Sequence, residues 1–130
     1  MNLHIDPFLQ THAQRVATEL LAEIAGARAV VIATEDGFSI AHALAEPLDT
    51  GRIAAMTSSI AAIGQAIAQE TALGTPNCLV VDASGGFLIM RRVQCQGVAL
   101  VVNALTHRDV LLGMAMHNVA NAARHLEQPA

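Results

Sequence analysis

The stretch RIAAMTSSIAAIGQAIAQE, Arg52 to Glu70, carries no charge between its two ends. Coiled into a helix, it presents apolar or small side chains on nearly every side, whereas a soluble helix normally needs one dry stripe. At about 100° per residue, Ile53, Met56, Ile60, Ile63 and Ile67 fall on one line, and Ala54, Thr57, Ala61, Gly64 and Ala68 on a second about a quarter turn away. The bulky line is expected to lie on a sheet. The small line lets another backbone approach closely, which would offset the roughly 1 kcal/mol that Gly64 costs relative to Ala in a helix interior. That neighbour is either a loop of the same chain or, as preferred here, the same helix of a second subunit in a self-complementary two-fold interface. A third line, Ala55, Ser59, Ala62, Ala66 and Gln69, should point away from the sheet, either as solvated small residues or, in a dimer, as a shallow platform.

The flanking segments supply the sheet. Asp6-Pro7 reads as a helix start, with Asp capping free N–H groups and Pro in the first turn where its missing N–H costs nothing. Leu9, Ala13, Val16, Leu20 and Ile24 then build one apolar stripe up to Gly26. In RAVVIATEDGFSIAHAL, two Val- and Ile-rich runs are broken by Glu35-Asp36-Gly37, which predicts two antiparallel strands around a tight turn. The quoted helix continues to about Leu73 with Gly74 as its stop, and Pro76 opens a meander of three strands with turns at Ser84-Gly85-Gly86 and Gln94 to Gly97. Thr106 to Asp109 fits a capping box for a last helix reaching about Leu126. The order αββαβββα, without a long linker or internal repeat, predicts one α+β domain: a five-stranded antiparallel sheet covered on both faces, the middle helix on one and the terminal helices on the other.

Composition limits the function. In 130 residues, 53% are hydrophobic and the seven basic side chains, all Arg, are outnumbered by eleven acids, giving a formal charge of −4. No basic block marks a nucleic-acid or acidic-membrane surface. The uncharged run from Ile53 to Gln69 is 17 residues long, the lower limit of a membrane span, but TSS and two Gln interrupt it. Two cysteines, Cys78 and Cys95, without a CxxC partner, and an N-terminus unlike a cleavable signal, fit a reducing cytoplasm.

Catalytic motifs do not emerge. The chain lacks a GxSxG elbow, a GxxxxGK[ST] phosphate loop and an HExxH site, so neither an enzyme nor a nucleotide binder is expected, and no cofactor is implied. His107, His117 and His125 do not stand at the i, i+4 spacing that suits a metal pair. Cys78 reads as a small buried hydrophobe and Cys95 as an incidental thiol. If the protein stimulates GTP hydrolysis in a partner, Arg52, Arg91 and Arg92 are the candidates for an arginine supplied in trans.

The segments VVIATEDGFSIAHAL, IAAMTSSIAAIGQAIAQETALG, CLVVDASGGFLIM and LLGMAMHNVANAARHL resemble, in order and spacing over about residues 12–126, the Roadblock/light-chain-seven family. The resemblance implies a dimer formed through the middle helix and the third strand, with the two sheets joined into one of ten strands. The interface would then comprise Ala54, Thr57, Ala61, Gly64 and Ala68 with Cys78, Leu79, Val80 and Val81 of the edge strand, since an unpaired CLVV edge is an aggregation hazard. It also implies a non-enzymatic adaptor that binds and modulates a Ras-like small GTPase, here on Ala55, Ser59, Ala62, Ala66 and Gln69. The alternatives are a purely structural light chain and a small-molecule sensor. A sensor would need a cavity between helix and sheet with convergent polar groups.

Overall fold

The computed structural model describes residues 5–128. Helix α1 (Pro7–Glu23) is followed by strands β1 (Ala27–Thr34) and β2 (Ser39–Leu44), helix α2 (Thr50–Glu70), strands β3 (Cys78–Ala83), β4 (Gly86–Cys95) and β5 (Val98–His107), and helix α3 (Leu112–Glu127). The five strands form one antiparallel sheet in the order β2-β1-β5-β4-β3, so β2 and β3 are its edges. This is the α+β order that the hydrophobic pattern predicts.

The main core lies between the sheet and the α1/α3 layer. The predicted stripe Leu9, Ala13, Val16, Leu20 and Ile24 is buried there with Val119, Ala123 and Leu126 of α3, against Val30, Ile32, Ile89, Leu100 and Val102 of the sheet. Asp6 accepts a hydrogen bond from the Phe8 amide at 2.9 Å, capping α1 as expected. The β1–β2 turn closes through Gly37, whose φ of +97° only glycine adopts freely; its amide donates to the Thr34 carbonyl at 3.0 Å. A two-residue turn at Gln96-Gly97 joins β4 to β5, both residues at positive φ, the conformation that matches the twist of paired strands.

Two helix ends differ from expectation. The Thr106–Asp109 capping box does not form: β5 runs through His107, with Thr106 buried opposite Ala27 and Phe87. Pairing on both sides in the middle of a sheet outweighs one local cap, and α3 starts only at Leu112, without a side-chain cap. At the other site, α2 ends at Glu70 rather than near Leu73, because Ala72 turns left-handed at φ +57° and the Leu73 amide closes back on the Ala68 carbonyl at 2.8 Å.

The largest correction concerns α2. Met56, Ile60, Ile63 and Ile67 do not lie on the sheet; they are 52%, 36%, 61% and 56% exposed, and only Ile53 packs partly against it. The small line takes their place. Ala54, Thr57 and Ala68 are buried within the protomer, Ala54 joining Val31 and Ala33 of the sheet, and a Cβ at Gly64 would stand 2.9 Å from Leu79 Cδ1. The sheet face beneath is already furnished with Val31, Met90, Val101 and Leu79, so small residues let the helix sit low upon it. Of the five positions expected at a helix–helix crossing, Ala54, Thr57 and Ala68 are thus buried within the protomer, while Ala61 and Gly64 are half-buried.

Candidate partner-binding face

Helix α2 lies across the sheet from the β1–β2 hairpin to the opposite edge. At its N-terminal half, Gly37 of the hairpin lies under Ala55 and Ser58, where a Cβ would meet Ala55 Cα at 3.3 Å. At its C-terminal half it crosses the edge strand β3 where Gly64 meets Leu79. Asp49 fixes the start, accepting from the Arg52 amide at 3.1 Å.

Three free flanks result, each with its own chemistry. On one, Met56, Ile60, Ile63 and Ile67 form an exposed bulky stripe. On the crest, Ala55, Ser59, Ala62, Ala66 and Gln69 are all exposed, facing away from the sheet as the spacing predicts. On the third, half a turn from the Ile stripe by helical angle, Ser58, Ala61, Ala62 and Gln65 border a cleft above β3, β4 and β5.

Strand β3 pairs with β4 alone and leaves its other edge open among the described residues. Cys78 and Leu79 are half-buried, and Val80 and Val81 exposed. Alternation puts Val81 on the same face as Leu79. The cleft is bordered on the near side of the crossing by Pro76, Asn77 and Cys78, so Val81 lies on the far side, the side of the Ile stripe. One apolar surface therefore runs from α2 onto an unpaired strand, and its bulky part was missed from sequence. The signal was present in the absence of any charge around α2, but periodicity alone does not say which of two adjacent apolar lines faces inward.

Charges surround this surface without entering it. Arg92 pairs with Glu35 at 3.0 Å, and Arg108 pairs with Asp82 and stacks over the Phe87 ring at 4.6 Å. Of the three arginines considered for action in trans, Arg52 stands exposed in the first turn of α2, whereas Arg91 and Arg92 are half-buried on β4. Burial pushes the Cys78 thiol up, opposed by the neighbouring Arg91 guanidinium. Burial likewise raises the Cys95 thiol, aided by Glu127, and its Sγ donates to the Leu126 carbonyl at 2.9 Å. Neither thiol is poised as a nucleophile. Among the described residues no three His, Cys, Asp or Glu side chains cluster as metal ligands, and no helix is long and apolar enough to cross a membrane.

Residues 14–104 match the family model of the Roadblock/LC7 domain. The chain belongs to the Roadblock/LC7 family. Among solved structures, MglB of Myxococcus xanthus shares the fold at a TM-score of 0.84 and 17% identity, over 98% of this chain and 92% of that one. The gliding protein MglB of Thermus thermophilus gives 0.83 and 19%, over 97% and 93%. An MglB structure with a tetrameric arrangement gives 0.82 and 23%, over 97% and 93%. No curated protein matches the chain.

Proposed function

We propose that this Roadblock protein is a homodimeric adaptor that binds a Ras-like small GTPase and modulates its activity. The observation that carries the reading is the continuous apolar surface formed by the Ile stripe of α2 and the open edge of β3. A second copy placed across a two-fold axis would cover the stripe with its own stripe and pair the two β3 edges, removing an exposed apolar flank and an unpaired strand together. The interface is then Met56, Ile60, Ile63 and Ile67 with Cys78 to Val81, in place of the small line buried within the protomer. One structural neighbour is described as an MglB with a tetrameric arrangement, which supports a self-associating reading.

The crest of α2 serves as the GTPase platform. Its small side chains, doubled in the dimer, present little shape of their own and suit a partner that brings its switch region to them. Ser59→Glu is the sharp test, because a carboxylate trapped unpaired in an interface costs several kcal/mol whereas a solvated one costs almost nothing. Titration of a Ras-like GTPase from the same cell, loaded with a nonhydrolysable GTP analogue, should show weaker binding to Ser59→Glu, with both proteins dimeric by sedimentation. Equal affinity would move the GTPase site off α2. Equal affinity of the wild type for GTP- and GDP-loaded forms would favour a structural light chain.

A further inference from the structure

The third flank of α2 borders a feature that shares only Cys78 and Leu79 with the proposed dimer interface and Ala62 with the proposed GTPase platform. Between α2 and the sheet lies a cleft of about 180 Å³, walled by Ala61, Ala62, Leu79, Met90 and Val101 and ended by Glu35 and Arg92. It exists because α2 carries Ala at 61 and 62, where a Leu side chain would fill the space. An apolar cavity of about 150 Å³ takes a benzene ring, so this cleft has room for one ring or a branched chain of similar bulk. It lies half a turn around α2 from the Ile stripe.

Its polar end is specific. One terminal nitrogen of Arg92 is held by Glu35 at 3.0 Å, while its Nε is buried and bonded to no protein group. Two positions beyond Val101 on the same sheet face, buried Asn103 also has an Oδ1 without a protein partner, although its Nδ2 donates to the Val31 carbonyl at 3.1 Å. A buried donor left unmade is costly. The ion pair has no net charge, which disfavours a carboxylate ligand beside Glu35. It does offer a donor in Arg92 Nε and an acceptor in the Glu35 carboxylate, and a hydroxyl group satisfies both at once.

We propose that this cleft is a binding site for a small, uncharged hydroxylated molecule, a phenol or compact apolar alcohol, with its body against Ala61, Leu79 and Met90 and its hydroxyl at the Arg92–Glu35 pair. The proposal does not rest on GTPase binding, and its test reads occupancy of the cleft with no GTPase present.

The experiment is a titration of the methyl-labelled, full-length protein with 4-methylphenol, followed by NMR, with toluene and 4-methylbenzoate as comparisons. The expected result is saturable shifts confined to the methyls of Ala61, Ala62, Leu79, Met90 and Val101. Affinity for 4-methylphenol should exceed that for either comparison about tenfold, the worth of one good hydrogen bond. Arg92→Met should lower it to the toluene level, and Ala61→Leu should abolish binding by filling the cleft. Ala62→Met, at an exposed helix position bordering the same space, provides a second filled cleft if Ala61→Leu fails to fold. The proposal is overturned by the absence of saturable shifts up to about 10 mM. Unchanged affinity in a folded filled-cleft variant, shifts centred on the Ile stripe, or dissociation of a dimer by 4-methylphenol would also overturn it, the last because it would make a second copy the occupant.

Discussion

Ile63→Ala separates the two lines of α2 more sharply than any other change. Ile63 is 61% exposed in the protomer, so it contributes little to the fold and has most of its side chain left to bury. Full burial of such a side chain is worth roughly 1.5–3 kcal/mol, and the exposed fraction scales this to about 1–2 kcal/mol per copy. A two-fold interface counts the site twice, giving about 2–4 kcal/mol, or a dimer dissociation constant raised roughly 30- to 700-fold. Sedimentation equilibrium over a dilution series measures it, and denaturant unfolding of the dissociated protein should show protomer stability changed by much less. Ala54→Leu is the opposite perturbation: its site is buried on the sheet, so overpacking should cost the fold about 1–3 kcal/mol. A dissociation constant unmoved by Ile63→Ala would refute the Ile-stripe interface.

Gly86→Ala should destabilise the protein severely, because a Cβ there runs into the Thr106 carbonyl of the neighbouring strand, where no side-chain rotation relieves it; a denaturant midpoint within error of the wild type would contradict this. The Arg28 hydrogen bond and charge hold Glu46 below its ordinary value of 4.5, so its contribution to stability is present above that value and lost as pH falls through the lower, folded one. Glu46→Gln should flatten the fall in stability as pH drops below the ordinary value of 4.5, and unfolding curves in acid that parallel the wild type would count against it. In dissociated Ile63→Ala, amides of α2 should exchange with solvent faster than those of α1 and α3, and equal protection would show that α2 needs no partner.

The sequence reading reached the architecture because most of its signals were local and mutually consistent. The apolar stripe of α1, the Gly37 turn and the glycine turns on either side of β4 each left one solution. Thr106 misled because a capping box is a local pattern and its residue is claimed by two neighbouring strands. Helix α2 misled for a different reason. Both of its lines are apolar, and the rule that bulky residues go inside holds for cores but runs only one way: burial of Leu or Ile is common, yet exposed ones remain available for a partner. The cleft was out of reach for the same reason, since its existence depends on how low α2 sits and on Arg92 and Glu35 meeting across the sheet end.

The seating of α2 ties folding to association. Three of its residues are buried, Ala54, Thr57 and Ala68, against five in each of α1 and α3, where Leu and Val take part. Buried area sets the hydrophobic contribution, and small side chains contribute little of it, so α2 is the helix least firmly held by its own protomer. What its sheet face lacks, its Ile flank can supply only against another surface. Any surface that binds the folded helix and not the unfolded one stabilises it by mass action, so a second copy on the Ile flank would firm the crest proposed as the GTPase platform. The same linkage applies to the opposite flank: a molecule seated in the cleft touches α2 and the sheet together and would stabilise the helix against them. Two ligands that each hold α2 to the sheet reinforce one another without a change of shape, because the ordering cost met by the first is not met again by the second. On this reading, the uncharged run from Ile53 to Gln69 belongs to a helix that meets surfaces on several sides, with little room for a solvated charge on any of them.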